Sequence, residues 1–443
     1  LNPKSLKIIG AKVFLGSNVG FAEAEVLVED GLICEVGPSV SRGAARTIDG
    51  AGMLLGPGLV DTHVHMREPG ATHKEDFASG SRACAAGGVT TFFDMPNTNP
   101  PTVTVQALGD KLVMAARTSV VDFGVFLGAT PRNLEELQRA SGHCGIKLFL
   151  GASTGDLLVD RQDALERLFA QTDPSQVIAV HCEDEERMKT LTAAHRHRTD
   201  PAVHSVVRDA QVGLLATERA LDLAARHRHR THIAHVSSAL EAQALAQRGE
   251  FVTAEAAPHH LLLDVSDYER LGALIKMNPA LKAAADRQAL WQALQTGAID
   301  SIATDHAPHS LEEKSRPNIW DVPSGVPSVE NSLGLMLDAA RRGLCTVEQV
   351  FTWMSERPAQ IYGLTRKGRI EPGADADLVL VDLAHEHVID NARQWTRCAF
   401  SPWHGARFVG WPVLTVARGE VVFENGRITG EHRGVNAFEQ ERG

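Results

Sequence analysis

The chain has 443 residues, enough for one large catalytic domain with something smaller beside it. Hydrophobic residues make up 43% and charged residues 22%, the balance of a globular enzyme whose core needs no disulfides. A net charge of -11, with histidine neutral, argues against a general nucleic-acid binder but leaves room for an anionic small molecule in a local pocket of opposite sign.

In chain order, residues 8–14 and 24–29 read as short strands separated by a Gly-containing turn region. Apolar runs then alternate with longer helix-like segments. The runs are 54–65, 89–95, 120–127, 146–150, 177–182, 231–236, 251–256 and 299–304. Residues 211–226 and 239–248 are representative of the helices between them. Fully buried strands joined by helices imply a parallel sheet. Eight such units predict an α/β fold, a closed (β/α)8 barrel of the TIM type over residues 55–365. The last eighty or so residues return to strands at 377–382, 413–417 and 421–423, with a turn signal at Glu424-Asn425-Gly426. Residues 1–54 and 366–443 are expected to pair into one small β-sandwich module.

The six cysteines are Cys34, Cys84, Cys144, Cys182, Cys345 and Cys398, with no Cys-x-x-Cys pair. Buried free thiols in a reducing compartment are expected. The apolar stretch 6–15, broken by Lys7, Gly10 and Lys12, lacks a signal-peptide layout. No run approaches the roughly 20 apolar residues of a membrane span, so a cytoplasmic location away from membranes is expected.

In such a barrel the active site lies at the C-terminal ends of the strands. His63 and His65 end the first run, Lys147 lies in the fourth, His181 ends the fifth, His235 the sixth and Asp305 the eighth. On a strand, residues i and i+2 project to one face, so both imidazoles of His63-Val64-His65 can reach one ion. A lone histidine after an apolar strand is more often a hydrogen-bonded core residue. The shared rim placement is what favours a metal. A carboxylate at the position of Asp305 is costly to bury without a cation or donors nearby. Nitrogen and oxygen ligands on one rim suit zinc, or manganese or cobalt by the same chemistry. His195, His197, His227 and His229 sit among arginines and read as solvated surface. Lys147 would aim a cation at this site. Either it leaves the barrel or its charge is removed chemically.

On these residues the chain resembles the amidohydrolase superfamily, and within it the dihydroorotases that carry His-x-His-x-Arg. The resemblance runs from Pro57-Gly58 to Pro372-Gly-Ala-Asp-Ala-Asp377. It implies that Lys147 is carboxylated and bridges two zinc ions together with a hydroxide. His63, His65 and Asp305 would then bind one zinc, and His181 and His235 the other, with Asp305 also serving as the proton-transferring base. It further implies substrate contacts from Arg67 in Met66-Arg-Glu-Pro-Gly70, Asn97 in Met95-Pro-Asn-Thr-Asn-Pro100, Asn278 in Met277-Asn-Pro279, and His309 in Asp305-His-Ala-Pro-His309. A guanidinium fork suits a carboxylate, and asparagine can donate and accept toward an imide.

The implied reaction is the reversible interconversion of N-carbamoyl-L-aspartate and (S)-dihydroorotate in pyrimidine synthesis. Two departures weaken the match. Asn278-Pro-Ala-Leu-Lys282 stands where Asn-Pro-Pro-Leu-Arg is commoner. Pro323-Ser-Gly-Val-Pro327 replaces a Pro-Phe-Gly pattern, leaving the backbone near Ser324 and Gly325 to hold the ring. An allantoinase or a hydantoinase/dihydropyrimidinase remains an alternative, as does an idle scaffold for aspartate transcarbamoylase. The resemblance also implies a homodimer and leaves a transcarbamoylase partner open. The loop around Ala152-Ser-Thr-Gly155 follows the fourth run and is placed to close over the site.

Overall fold

In the computed structural model, which describes residues 5–151, 157–429 and 432–439, eight strands run parallel in sequential order. They are Leu59–Val64, Val89–Asp94, Asp122–Gly128, Gly145–Phe149, Ile178–His181, Thr231–Ile233, Val252–Ala256 and Ser301–Ile302. Nearly every residue in them is buried, as expected for strands covered by helices on one side and packed into a barrel interior on the other. A parallel bridge between Val64 and His306 closes the eighth unit onto the first, with His65 N donating to His306 O at 2.7 Å. Helices such as Ala210–His227, capped by the Asp209 carboxylate on Val212 N, fill the outer ring. The helix from Ala239 stops at Leu245, short of the expected 248, and the Arg248 side chain turns back onto Ala298 O and Asp300.

The run 54–65 belongs to two sheets. Leu54–Pro57 pairs with Leu378–Val388 and Lys12–Phe14, whereas Leu59–Val64 opens the barrel. The crossing falls at Gly58, where a Cβ would lie 2.2 Å from Thr90 Oγ1, so only glycine lets the chain pass. The run 8–14 likewise splits, into Ser5–Ile9 and Lys12–Phe14 in different sheets.

Strands from both ends of the chain build the second unit. A seven-stranded sheet carries Arg427–Ile428, Glu420–Glu424, Arg407–Ala417, Leu378–Val388, Leu54–Pro57, Lys12–Phe14 and Phe21–Glu23 in spatial order. A four-stranded sheet carries Leu32–Gly37, Glu25–Glu29, Ser5–Ile9 and Arg46–Asp49. Leu6, Ile8, Val26 and Val28 share one core with Leu55, Leu378, Leu380 and Leu414. The turn signal is realised as a two-residue hairpin. Asn425 and Gly426 both take positive φ, 47° and 80°, between the paired Glu424 and Arg427.

All six cysteines are free and five are buried. Cys34 is the exception to the expectation, exposed on the strand Leu32–Gly37. Among the described residues no helix is long and apolar enough to cross a membrane.

Candidate active site

His63 and His65 converge as their spacing predicts. Asp305 Oδ1 lies 3.3 Å from His63 Nε2 and 3.1 Å from His65 Nε2, and all three side chains are buried. Behind them, His63 Nδ1 is 2.7 Å from Glu255 Oε1, and His65 Nδ1 is 2.8 Å from Asn97 Oδ1. A carboxylate and an amide oxygen can only accept, so both rings carry their proton on Nδ1 and aim bare Nε2 atoms at the cavity.

His181 ends the fifth strand and His235 follows the sixth, with His181 Nδ1 2.9 Å from His235 Nε2. The other side of His181 rests on Glu183 at 2.9 Å, and Glu183 is ion-paired with Arg208. The His63 and His235 rings stand 5.1 Å apart, which joins the two histidine pairs into one cluster.

Lys147 does not leave the barrel. It is fully buried, and among the described residues its Nζ has no hydrogen-bond partner. Burial pushes its ammonium down to about 8. A buried amine without a hydrogen-bond partner among the described residues, subject to the Glu255 and Asp305 charges, fits beside a metal centre once its own charge is removed. The imidazoles are also in the ligating form. Burial, with the Lys147 charge adding to it, holds His63 down at about 4, and burial likewise lowers His65, His181 and His235. The residues present therefore fit a divalent metal centre. A second acidic cluster, Asp122, Asp375 and Asp377, is instead paired with three cations, Lys367, Arg366 and Arg418.

Three of these residues take left-handed backbone although none is glycine: Arg67 at φ 59°, His235 at 36° and Asp305 at 45°. Such strain of about 1–3 kcal/mol per residue gathers at functional sites.

Four of the six expected substrate residues line the cavity, and Asn97 and His309 do not. Arg67, Asn278, Ser324 and Gly325 share the cavity with the histidines and Asp305. Arg67 is buried, donates from Nε to Pro308 O at 3.0 Å, and has no ion-pair partner among the described residues. Its terminal nitrogen lies 3.1 Å from His309 Nε2. Lys74 Nζ, which can only donate, is 3.0 Å from His309 Nδ1, so Nε2 holds the His309 proton and donates it to Ser324 O at 3.0 Å. The Arg67 fork thus finds no acceptor on His309. Asn278 Oδ1 accepts from His204 Nε2 at 3.0 Å. Gly325 sits at φ 143°, and a Cβ there would come within 2.4 Å of Ala307 O. Asn97 stands behind His65 and does not border the cavity. The segment Ala152-Ser-Thr-Gly155 lies outside the described residues.

His229 is not solvated. The helix Ala210–His227 ends at Arg228 in a left-handed turn, which tucks His229 beneath it, 3.0 Å from Thr172 Oγ1. His227 is half-buried against Glu166 at 2.7 Å, His195 is half-buried and His197 is exposed. Sequence reasoning missed Glu255, Glu183 and Lys74. Glu255 had a signal. It is a carboxylate inside the apolar run 251–256, costly to bury without partners, as was argued for Asp305.

The amidohydrolase family model matches residues 54–422. The chain belongs to the amidohydrolase family. Among its relatives in this family, a dihydroorotase of Halobacterium salinarum is 42% identical over 380 residues, 84% of this chain and 87% of its own length. An allantoinase of Deinococcus radiodurans is 35% identical over 443 residues, 97% of this chain and 98% of its own length. The structure of an L-hydantoinase (dihydropyrimidinase) from Arthrobacter aurescens superposes with a TM-score of 0.93 at 31% identity, covering 97% of this chain and 98% of that one. This amidohydrolase is thus a hydrolase with a histidine- and aspartate-lined metal-binding group at the mouth of its barrel.

Proposed function

We propose that this amidohydrolase is a dihydroorotase, interconverting N-carbamoyl-L-aspartate and (S)-dihydroorotate for pyrimidine synthesis. The observation that carries the reading is Arg67, a buried guanidinium on the cavity wall without a carboxylate partner among the described residues. A buried cation left unpaired by its own protein suits an anionic substrate. The 42% identity to a dihydroorotase supports the same choice.

His63, His65 and Asp305 would hold one zinc ion, His181 and His235 a second, and carboxylated Lys147 would join them. Such ions supply an activated water and polarise the ring carbonyl. The protein's own groups do the rest. Arg67 fixes the substrate carboxylate, while Asn278 and the backbone of Ser324 and Gly325 meet the ring edge, which turns the reacting carbon toward the histidines. Asp305 takes the proton of the attacking water and delivers it to the leaving ring nitrogen. Ring closure reverses the transfer. Burial by itself raises the Asp305 carboxyl.

A second reading, an allantoinase or hydantoinase, draws on the 35% identical allantoinase and the L-hydantoinase fold match. Allantoin and unsubstituted hydantoin bring no carboxylate to Arg67. Incubation with carbamoyl aspartate, dihydroorotate, allantoin and hydantoin separates the readings. Turnover of dihydroorotate and carbamoyl aspartate is expected. Turnover of allantoin or hydantoin alone would overturn the proposal.

A further inference from the structure

Asn278, Ser324 and Gly325 line the cavity from the segments 276–278 and 319–326, which belong to no barrel strand. Both segments are held from behind by lysine. Lys314 ends the short helix Leu311–Lys314 with its side chain buried. Its ammonium donates to the carbonyls of Lys276, Pro323 and Gly325 at 2.8, 3.1 and 3.0 Å. Three donors meet three acceptors, the full capacity of an ammonium. Gly325 N adds a bond to Lys276 O at 2.9 Å, so the two segments are tied at one point. The ammonium of Lys276 then reaches outward to Ile319 O and Val322 O at 2.7 and 2.6 Å.

Among the described residues neither lysine has an ion-pair partner, and Glu313, beside Lys314 in the chain, is paired with Lys74. A buried ammonium without an anion is costly, and an apolar side chain would fill the space without that cost. Burial first, then the charges of Lys276 and Arg67, work against the charged form of Lys314. What the ammonium achieves is the fixed placement of three carbonyls, one of them at Gly325 on the cavity wall.

We infer that Lys314 is a positioning residue for the substrate ring: by gathering these carbonyls it sets where Ser324, Gly325 and Asn278 stand against the bound ring, with Lys276 bracing the outer half of the same loop. The inference rests on the proposal that this wall holds a cyclic amide. It does not depend on which one.

The test compares metal-loaded wild type with Lys314→Met and Lys276→Met, measuring KM, kcat, metal content and melting temperature with dihydroorotate, hydantoin and allantoin. Misplaced ring contacts weaken ground-state and transition-state binding together, so KM should rise about tenfold in Lys314→Met and less in Lys276→Met, with kcat per bound metal within about threefold. Unchanged KM with a lowered melting temperature would assign both lysines to stability alone and overturn the inference. If Lys314→Met does not fold, Lys276→Met decides by the same criterion. If wild type ignores dihydroorotate but turns over another ring, the dihydroorotase reading fails, while KM for that ring still tests Lys314.

Discussion

His63 gives its Nδ1 proton to Glu255 across 2.7 Å, and Glu255 is as buried as the histidine it holds. The same carboxylate accepts from Thr62 Oγ1 at 2.8 Å and meets His232 Nε2 at 3.1 Å. It therefore fixes the tautomer and the orientation of His63 and raises the basicity of the free nitrogen. Partners of this kind contribute to metal affinity without touching the metal. Glu255→Gln keeps the shape and removes the charge. Metal affinity should fall by about tenfold to a hundredfold, read by chelator competition against wild type. Unaltered affinity would mean that His63 needs no support from the seventh strand.

Asp305 combines a strained backbone, a buried carboxyl and contact with two imidazoles. Asp305→Asn retains an oxygen that can face His63 and His65 but cannot carry a proton between water and substrate. Turnover should fall by about three orders of magnitude, the middle of the range for losing a general acid–base group, while most of the metal remains bound. Rate and metal content measured on the same preparation check this. A rate near that of wild type would remove Asp305 from the proton path.

Most of the barrel was legible because its signal is redundant. The eight runs are largely apolar and buried, and His63, His65, His181, His235 and Asp305 sit at or just past their ends. The split of 54–65 was hidden because both halves are apolar. The boundary is set by the approach of Thr90 to Gly58, a contact that no local pattern encodes. His229 was misread because its neighbours are arginines. Its burial follows from one left-handed residue, Arg228, that redirects the chain. The metal-binding group was visible as residue types at strand ends, whereas of the surrounding supports only Glu255, a carboxylate inside an apolar run, left a trace. Lys74 touches His309 from 235 positions away in the chain, and only the fold brings them together.

Arg67 has one carbonyl partner and no carboxylate among the described residues, so its removal strands no buried anion. Arg67→Met should cost the fold no more than about 1 kcal/mol, the net value of one hydrogen bond. Loss of a charge-assisted pair with substrate should lower kcat/KM for dihydroorotate by about a hundredfold, equivalent to about 2–3 kcal/mol, mainly through KM. An uncharged cyclic amide should be far less affected. Equal losses on charged and uncharged rings would contradict a carboxylate-binding role.

Far from the cavity, Lys367 joins three buried carboxylates at the seam between barrel and terminal sheets, at 2.7 Å to Asp122, 3.2 Å to Asp375 and 2.6 Å to Asp377. Arg418 adds a second cation, and Val435 N donates to Asp122 from the C-terminal segment. Burial alone would raise the Asp122 carboxyl. The Lys367 ammonium, the His432 contact and the Arg418 charge together outweigh it, and Asp122 ends well below the usual carboxylate range. Lys367→Met leaves Asp377 without an ion-pair partner among the described residues, while Asp122 and Asp375 keep Arg418, and Asp375 keeps Arg366. Breaking a buried pair in this way should cost about 3–5 kcal/mol of stability at neutral pH. The pH dependence has a definite sign. A carboxyl whose folded value is depressed contributes stability that is present above its unfolded value, near 3.9, and is lost as the pH falls through the folded value. The variant, with the Asp122 carboxyl no longer held down by Lys367, becomes more stable relative to wild type as that carboxyl protonates. The stability gap between the two proteins should therefore narrow as the pH is lowered from 7 to below 4. Because both proteins carry the same catalytic residues, acid effects on bound metal should largely cancel in that difference. Denaturant melts of both proteins across this range would measure the gap, and a gap that stays constant or widens would refute the assignment of Lys367 as the neutralising cation.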